Sequence, residues 1–592
     1  MKAGWLALGG LIWTAPLLAQ PSDPLAPLPQ GSTSPKVTKP TSSATQPATV
    51  EPVAPTTAAV TVPKDWRGVF DAIDAGDWAS ARVGIAALPP GILAPVAKAE
   101  LYTARGSPTA DLSSLLALVA EAPELPQADQ LARLAVTRGA VTPPPVVPER
   151  PTVNLGSAPV RYKARPVQGD PAAEELRAIL DPLIKADDAG GAEAQLLLYA
   201  PQLSIEARAE AAQRVAFVYY VLGLDMDARR VSDTWRQGAA GEWASQAAWI
   251  SGLASWRIGD CQSASRDFQQ VAALAQQREL RAGGLYWAAR SEQMCRRPET
   301  VEPLLRAAAS TAESAESFYG LLARQTLGMD TKLAPDAHRG FDPPIQQLPN
   351  VQRAMELVRI GEPALAEEML RHQAKIGLPT EHHALIELAK KLDLPAAQLW
   401  LANNGQPGAI SDAADRYPNP KWTPVMGWRV DPALAYGHIV QESAFRRTAV
   451  STAGAVGLMQ VLPVTAQLVS RNRGVPYTSR ALTDPGYNLE YGQSFIEMMR
   501  GNSATAGQLP RVIASYNAGP LPVGRWSTIN DKGDPLLWIE SIPYWETRYY
   551  VPAVLRNMWV YQGLNNEGTP TLKSIAEHHW PSFPTSMTRM QH

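Results

Sequence analysis

Asp431-Pro-Ala-Leu-Ala-Tyr-Gly-His-Ile-Val-Gln-Glu-Ser-Ala-Phe445 sets one glutamate into an otherwise apolar helix face. Asp431 followed by Pro432 reads as a helix start: a capping carboxylate, then a proline where a backbone N–H has no partner to lose. Leu434, Ala435, His438, Ile439, Glu442 and Phe445 recur at three- and four-residue steps, so they share one side of that helix. A lone carboxyl on such a side is poorly solvated, which raises its pKa and favours the protonated acid near neutral pH. A group of that kind can give a proton to a leaving oxygen. The competing reading is a structural glutamate paired with Arg446 or Arg447, and the helix alone leaves the two level.

The residues downstream tip the balance. Ser451-Thr-Ala-Gly-Ala-Val-Gly-Leu-Met-Gln460 is rich in small residues, and Gly454 and Gly457 allow close backbone approach or positive φ. Pro463 opens another helix, and Asp484 before Pro485 reads as the cap of a further one. Tyr516-Asn-Ala-Gly-Pro520 reads as a helix end, with Gly519 as the cap. Ile542-Pro-Tyr-Trp-Glu-Thr-Arg-Tyr-Tyr-Val551 leads into a last apolar helix through Leu555 and Trp559. Four separated blocks, Gln441-Glu-Ser-Ala-Phe445, Gly-Leu-Met-Gln460, Tyr516-Asn-Ala-Gly519 and Glu546-Thr-Arg548, here resemble in order those of the soluble lytic transglycosylases of bacterial cell-wall metabolism. The catalytic domains of that family look like goose-type lysozyme. One block alone would be weak; four in order over roughly 110 residues are specific. The resemblance is specific only for the last quarter of the chain.

The 592 residues exceed what one core can hold, so two to four domains are expected. A formal charge of −2 lacks the basic footprint of a nucleic-acid binder. Abundant Ala with Leu, Arg and Glu predicts a mostly α chain. Residues 1–19, Met1 to Ala19, carry one early positive charge, a short apolar run and a small residue at the cut, the layout of a secretory signal peptide. Export to the periplasm of a Gram-negative type cell is therefore expected, with no stable membrane span after cleavage. Residues 20–63, rich in Pro, Thr and Ser, are expected to be a disordered tether.

A helical segment is expected over 64–140, then a second flexible Pro-rich linker over 141–169. Residues 170–413 read as repeated helix pairs. Trp249-Ile-Ser-Gly-Leu-Ala-Ser-Trp-Arg-Ile-Gly-Asp260 with Ser263 to Ala272 returns as Tyr286-Trp-Ala-Ala-Arg290 with Val301 to Ala308, offset by about 34 residues, the period of tetratricopeptide-like hairpins. The expected architecture is an α-superhelix followed by a lysozyme-like α-helical catalytic domain over 414–565 and a tail over 566–592. Cys261 and Cys295 occupy equivalent places in consecutive repeats, so a disulfide stapling neighbouring hairpins is expected if their Cα atoms come within about 7 Å.

Hydrolytic glycosidases usually need two carboxylates about the scissile bond. Among the other acids of the region, Asp484, Glu490, Glu497, Asp531, Asp534, Glu540 and Glu546, none joins an apolar face to a motif like that around Glu442. The resemblance implies a route with one acid. Glu442 protonates the glycosidic oxygen, the N-acetyl group of N-acetylmuramic acid stabilises the anomeric carbon, and Glu442 as base activates that sugar's 6-hydroxyl to close a 1,6-anhydro ring. It further implies substrate contacts at Ser451, Met459, Gln460, Tyr516, Asn517 and Glu546, although Met459 alone would more often be core and Glu546 with Arg548 equally suits a structural ion pair. Leu462 stands where relatives often place methionine, which puts that one apolar contact in doubt. His438 lies one turn before Glu442, but no His-Glu-x-x-His pattern accompanies it, so no metal and no cofactor are expected. Trp526, Trp538 and Trp545 are expected mostly in the core. The competing functions are a hydrolytic muramidase, told apart by reducing rather than anhydro ends, and a non-catalytic wall-binding scaffold in which the superhelix recruits cell-wall proteins. The partner expected first is the glycan strand of peptidoglycan.

Overall fold

The structure is a computed structural model that describes residues 60–311, 313–333 and 343–584. The expected signal peptide lies outside the described residues, as does the tether except for residues 60–63. Among the described residues the regular structure is almost all α-helix, with one two-stranded pairing, and no helix is long and apolar enough to cross a membrane. Asp and Ser residues start many of these helices. Asp170, Ser204 and Asp260 each accept a backbone N–H three residues on, which satisfies a donor that the first turn leaves open.

The helix pairs Ile205–Val221 with Asp225–Trp235, Glu242–Ile258 with Cys261–Leu274, and Arg278–Met294 with Pro298–Ala309 follow one another as stacked hairpins. A carboxylate near the start of one unit accepts a backbone N–H 34 residues later in three successive places. Ser204 donates to Asp170, Ala240 to Glu206 and Gln276 to Glu242, each at 2.9 Å. Cys261 and Cys295, with Cα atoms 5.4 Å apart, form a disulfide between consecutive hairpins.

Two large cores hold the chain. In one, Val69, Phe70, Leu101, Leu118 and Leu131 pack with Val351, Leu357, Met369, Leu385 and Leu401. The first helical block therefore shares its core with the last helices of the array. The other core joins the hairpins from Ala173 to Ala323 to the C-terminal domain in one apolar body. Helix Pro395–Asn403 belongs to both, burying Ala397 and Leu401 in the first and Ala396 and Leu399 in the second.

The Pro-rich segment 141–169, expected to be flexible, is an ordered strap. Val153–Asn154 pairs antiparallel with Asn404–Gly405. The Arg150 N–H donates to the Lys375 carbonyl, that of Tyr162 to Gln277 and that of Val167 to Glu210. Trp243 donates to the Arg165 carbonyl at 2.9 Å. An extended segment has no apolar period to display, yet its polar backbone is satisfied by partners elsewhere in the chain. The described part of the expected tail, residues 566–584, is likewise built in: helix Pro570–Ala576 buries Leu572 and Ile575, and Thr571 accepts from the Trp559 indole at 2.8 Å.

Arginines fasten the C-terminal domain to the array. Arg161 of the strap pairs with Glu540 at 2.6 Å, both nearly fully buried, and stacks against Trp249 and Tyr549, while Tyr319 donates to the other Glu540 oxygen. Arg290 pairs with Asp534 at 2.5 Å, and Arg556 donates to the Pro159 carbonyl. Removing one member of a buried pair leaves an uncompensated charge, at a cost of roughly 3–5 kcal/mol. Arg161→Ala is expected to lower the thermal midpoint by several degrees in calorimetry. Lys98→Ala, which breaks the exposed Lys98–Glu121 pair, should cost no more than about 1 kcal/mol. Equal midpoints for the two variants would show that the strap does not hold the domains together.

Candidate active site

Helix Pro432–Glu442 lies against helix Trp545–Leu564 at close range. Gly437 permits it: a Cβ there would sit 2.9 Å from the Val554 carbonyl oxygen, and the Gly437 carbonyl accepts from Asn557 at 3.1 Å. The first helix ends at Glu442, earlier than the apolar spacing to Phe445 suggests. Ala444 (φ 50) and Phe445 (φ 64) turn the chain left-handed, which returns the Phe445 ring to the core beside Tyr436 and Trp422. Neither neighbouring arginine balances Glu442. Arg446 donates to the Ser443 carbonyl, and Arg447 stacks over Trp422.

Glu442 keeps part of its surface open but is crowded closely enough that burial pushes its pKa up to about 7; the charge of Glu546 adds to the rise, and the hydrogen bond from Tyr550 opposes it. The Tyr550 hydroxyl donates to Glu442 Oε1 at 2.5 Å, and its own oxygen lies 2.7 Å from His438 Nδ1. His438 is completely buried, and burial pushes its pKa down to about 3, so it is neutral. Burial together with the Glu442 charge raises the phenols of Tyr516 and Tyr550 well above the ordinary tyrosine range. The arrangement keeps a large share of the carboxyl protonated at neutral pH, with one oxygen engaged by a neutral donor.

The remaining expected residues divide by what they touch. Ser451 is half-buried and closes a small loop: its hydroxyl accepts from the Ala455 N–H, and its own N–H donates to the Ala455 carbonyl. Gly457, with φ 83, faces Asn488 and the Leu482 carbonyl so closely that no side chain fits. Gln460, half-buried with φ 47, donates to the Ala449 and Gly457 carbonyls and so braces the same loop. Met459 corrects the expectation of a substrate contact. Its side chain is fully buried against Gly492, because the gap left by that glycine is apolar and closed. Its carbonyl accepts from the Tyr516 hydroxyl at 2.7 Å, and the Tyr516 ring packs on His438. Thr547 donates to the Asn517 amide oxygen at 2.6 Å. Glu546 is exposed beside the Glu442 carboxyl, whereas Arg548 is buried, donates to the Ile542 carbonyl and stacks on Phe217 of the array.

Tyr550 and Asn488 were not singled out by sequence. Tyr550 lies one helical turn after Glu546 and two residues past the matched Glu546-Thr-Arg548 block, which was the available sign. Asn488 accepts from the Met459 N–H and donates to the Val456 and Leu482 carbonyls, a bracing role with no local pattern to reveal it. Trp526, Trp538 and Trp545 are buried, as expected of core residues. Among the described residues, the one grouping with metal-ligand spacing is His383, Asp412 and Asp415; it includes none of these residues, and Lys390 already pairs with Asp415 at 2.5 Å.

Comparison with known proteins finds relatives in family and in fold. The family model described as Transglycosylase SLT domain matches residues 426–539. The chain is 31% identical over 277 residues to the soluble lytic murein transglycosylase of Escherichia coli strain K12, a match covering 44% of this chain and 41% of that protein. The chain thus spans less than half the length of the curated relatives it matches. Its fold is similar to that of an inactive mutant of the lytic transglycosylase Slt from Pseudomonas aeruginosa, with TM-score 0.53 and 19% identity over 87% of this chain and 88% of that one. It is also similar to a 70-kDa soluble lytic transglycosylase in complex with bulgecin A, with TM-score 0.54 and 18% identity over 87% of this chain and 98% of that one. The fold is a helical superhelix joined to a lysozyme-like domain.

The raised pKa of Glu442 has a consequence for stability that can be measured. Its folded value, about 7, lies above the unfolded one, so the native state binds the extra proton between those two values. The cost of holding the carboxylate in place is absent at pH 4, grows as pH rises, and is complete above pH about 7. Glu442→Gln is therefore expected to match the parent's thermal midpoint at pH 4 and exceed it at pH 8, where it is more stable by on the order of 1–2 kcal/mol after allowance for partial exposure. Equal midpoints at both pH values would show that the carboxyl is not desolvated.

Proposed function

We propose that this chain, whose residues 426–539 are a transglycosylase SLT domain, is a lytic transglycosylase that cleaves the β-1,4 bond between N-acetylmuramic acid and N-acetylglucosamine in peptidoglycan. The single observation that carries the reading is Glu442, an acid at neutral pH with Tyr550 on one oxygen. Glu442 gives its proton to the glycosidic oxygen, the C–O bond breaks, and the N-acetyl oxygen of the muramic acid bonds to the anomeric carbon. Glu442, now a carboxylate that Tyr550 stabilises, takes the proton of the 6-hydroxyl as that oxygen attacks the same carbon and releases the N-acetyl oxygen. The product is a 1,6-anhydro ring, and Glu442 ends protonated as it began.

The engagement of the other acids supports an internal nucleophile over water. Glu490 and Glu497 pair with Arg429, Asp484 caps a helix, Asp534 pairs with Arg290, and Glu540 with Arg161. Among the described residues Glu546 is the acid left beside Glu442, and it is exposed. Half-buried Ser451, Gln460, Tyr516 and Asn517 then orient the sugar, with Glu546 at the rim. Action on glycan strands in the periplasm belongs to the same proposal.

Glu442→Gln is expected to lose at least about a hundredfold of muropeptide release from purified sacculi. Digestion in ¹⁸O-labelled water should leave the new sugar ends unlabelled and of anhydro mass. Label at the anomeric carbon of most new ends would make the protein a hydrolytic muramidase instead.

A further inference from the structure

Tyr550 has one hydroxyl proton and two buried neighbours. With that proton donated to Glu442 Oε1, the only bond left between Tyr550 and His438 is one in which Nδ1–H donates to the phenol oxygen, across 2.7 Å. The reverse polarity requires the tautomer with its proton on Nε2. Among the described residues His438 Nε2 is buried without a partner, so that tautomer would strand a donor, whereas the Nδ1–H form strands only a lone pair. Orphaned buried N–H groups are the rarer of the two. No other titratable contact competes for the ring. Tyr516, from helix Leu509–Ala518, packs its face on His438 and commits its hydroxyl to the Met459 carbonyl.

We propose that His438 is a positioning residue: its Nδ1–H holds the Tyr550 hydroxyl as a donor to Glu442 Oε1, so that the catalytic proton resides on Oε2. In outline, one carboxyl oxygen is fixed as an acceptor and the other is left to exchange a proton with the sugar. After proton transfer the same Tyr550 bond stabilises the carboxylate, and no hydroxyl has to rotate during the reaction. The groups facing Glu442 are His438 from its own helix, Tyr550 and Glu546 from helix Trp545–Leu564, and Tyr516 from helix Leu509–Ala518. None of them carries a positive charge at neutral pH, so the donor bond from Tyr550 is what opposes desolvation. The inference rests on Glu442 being the acid of the proposed lyase.

Muropeptide release by the full chain, followed as kcat/KM against pH, should fall as pH rises through the Glu442 pKa. Without His438 the Tyr550 hydroxyl is free to turn away, the carboxylate loses a donor, and that limb moves to higher pH. His438→Leu should shift it upward by about one unit and lower the maximum about tenfold. His438→Asn, whose amide nitrogen can stand where Nδ1 stands, should bring the limb back toward the parent's. In a Tyr550→Phe background His438→Leu should add nothing, because its effect passes through that hydroxyl. A limb unmoved by His438→Leu, or moved equally in both backgrounds, overturns the proposal. Should His438→Leu fail to fold, His438→Asn and a second measurement still decide. ¹⁵N-histidine NMR of the intact parent, with the His438 signals assigned by their loss in His438→Asn, should show a protonated Nδ1 and a bare Nε2 at neutral pH. The opposite tautomer overturns the proposal whether or not the chain is a lyase. The expected tautomer with no release of muropeptides would count against the proposed function alone.

Discussion

Two helices lie close enough at Gly437 for a carbonyl of one to touch the backbone of the other, and the chemistry depends on that contact. A side chain there would push helix Pro432–Glu442 away from helix Trp545–Leu564 and separate Glu442 from Tyr550. The approach also seals His438 and the inner half of Glu442 from water, which keeps the first neutral and raises the pKa of the second to about 7. Desolvation sets the direction of the pKa change, and the phenol limits its size. Around this pair the loop from Ser451 to Gln460 is held by its own backbone, by Gln460 and by Asn488. Those bonds hold the loop in place without awaiting a ligand.

The same economy governs how the domain sits on the array. Its inner surface carries Arg556 and Asp534, and the array and strap offer Arg290 and the backbone carbonyls of Glu316 and Pro159 in return. Arg548, read with Glu546 as either a substrate contact or a structural ion pair, faces the array and stacks on Phe217. Charged groups here are nearly all desolvated and nearly all paired, which favours one relative placement over many. A flat apolar face would have allowed sliding.

Much of this could be read from the residues, and the misses share a cause. Asp431-Pro432, Asp484-Pro485 and Gly519 marked helix ends because caps are local, and the structure ends helices there. The 34-residue offset of the hairpins and of the two cysteines was visible because a repeat shows itself along the sequence. The strap was misjudged because its partners lie far away: Arg150 bonds to Lys375 and Arg161 to Glu540, and nothing near 150 or 161 announces either. Met459 failed as a sugar contact for the same reason, since Gly492, which makes room for it, sits on another helix. Tyr550 lay two residues past a matched block, but only the approach of the helices reveals which tyrosine of the adjacent pair meets the carboxyl.

The shared core of the first and late helices also imposes an order of events during synthesis. Helix Ala128–Thr137 closes the first block, and helix Pro349–Ile360 begins the partner that completes its core roughly two hundred residues later. A ribosome adding about 5–20 residues per second needs on the order of 10–40 s to cover that distance. For that interval Val69, Leu118, Leu131 and their neighbours have no partner surface, although the hairpins that follow can already close on one another. The nascent chain thus carries an unfinished half-core at its leading end, a face for chaperones to guard until the late helices emerge.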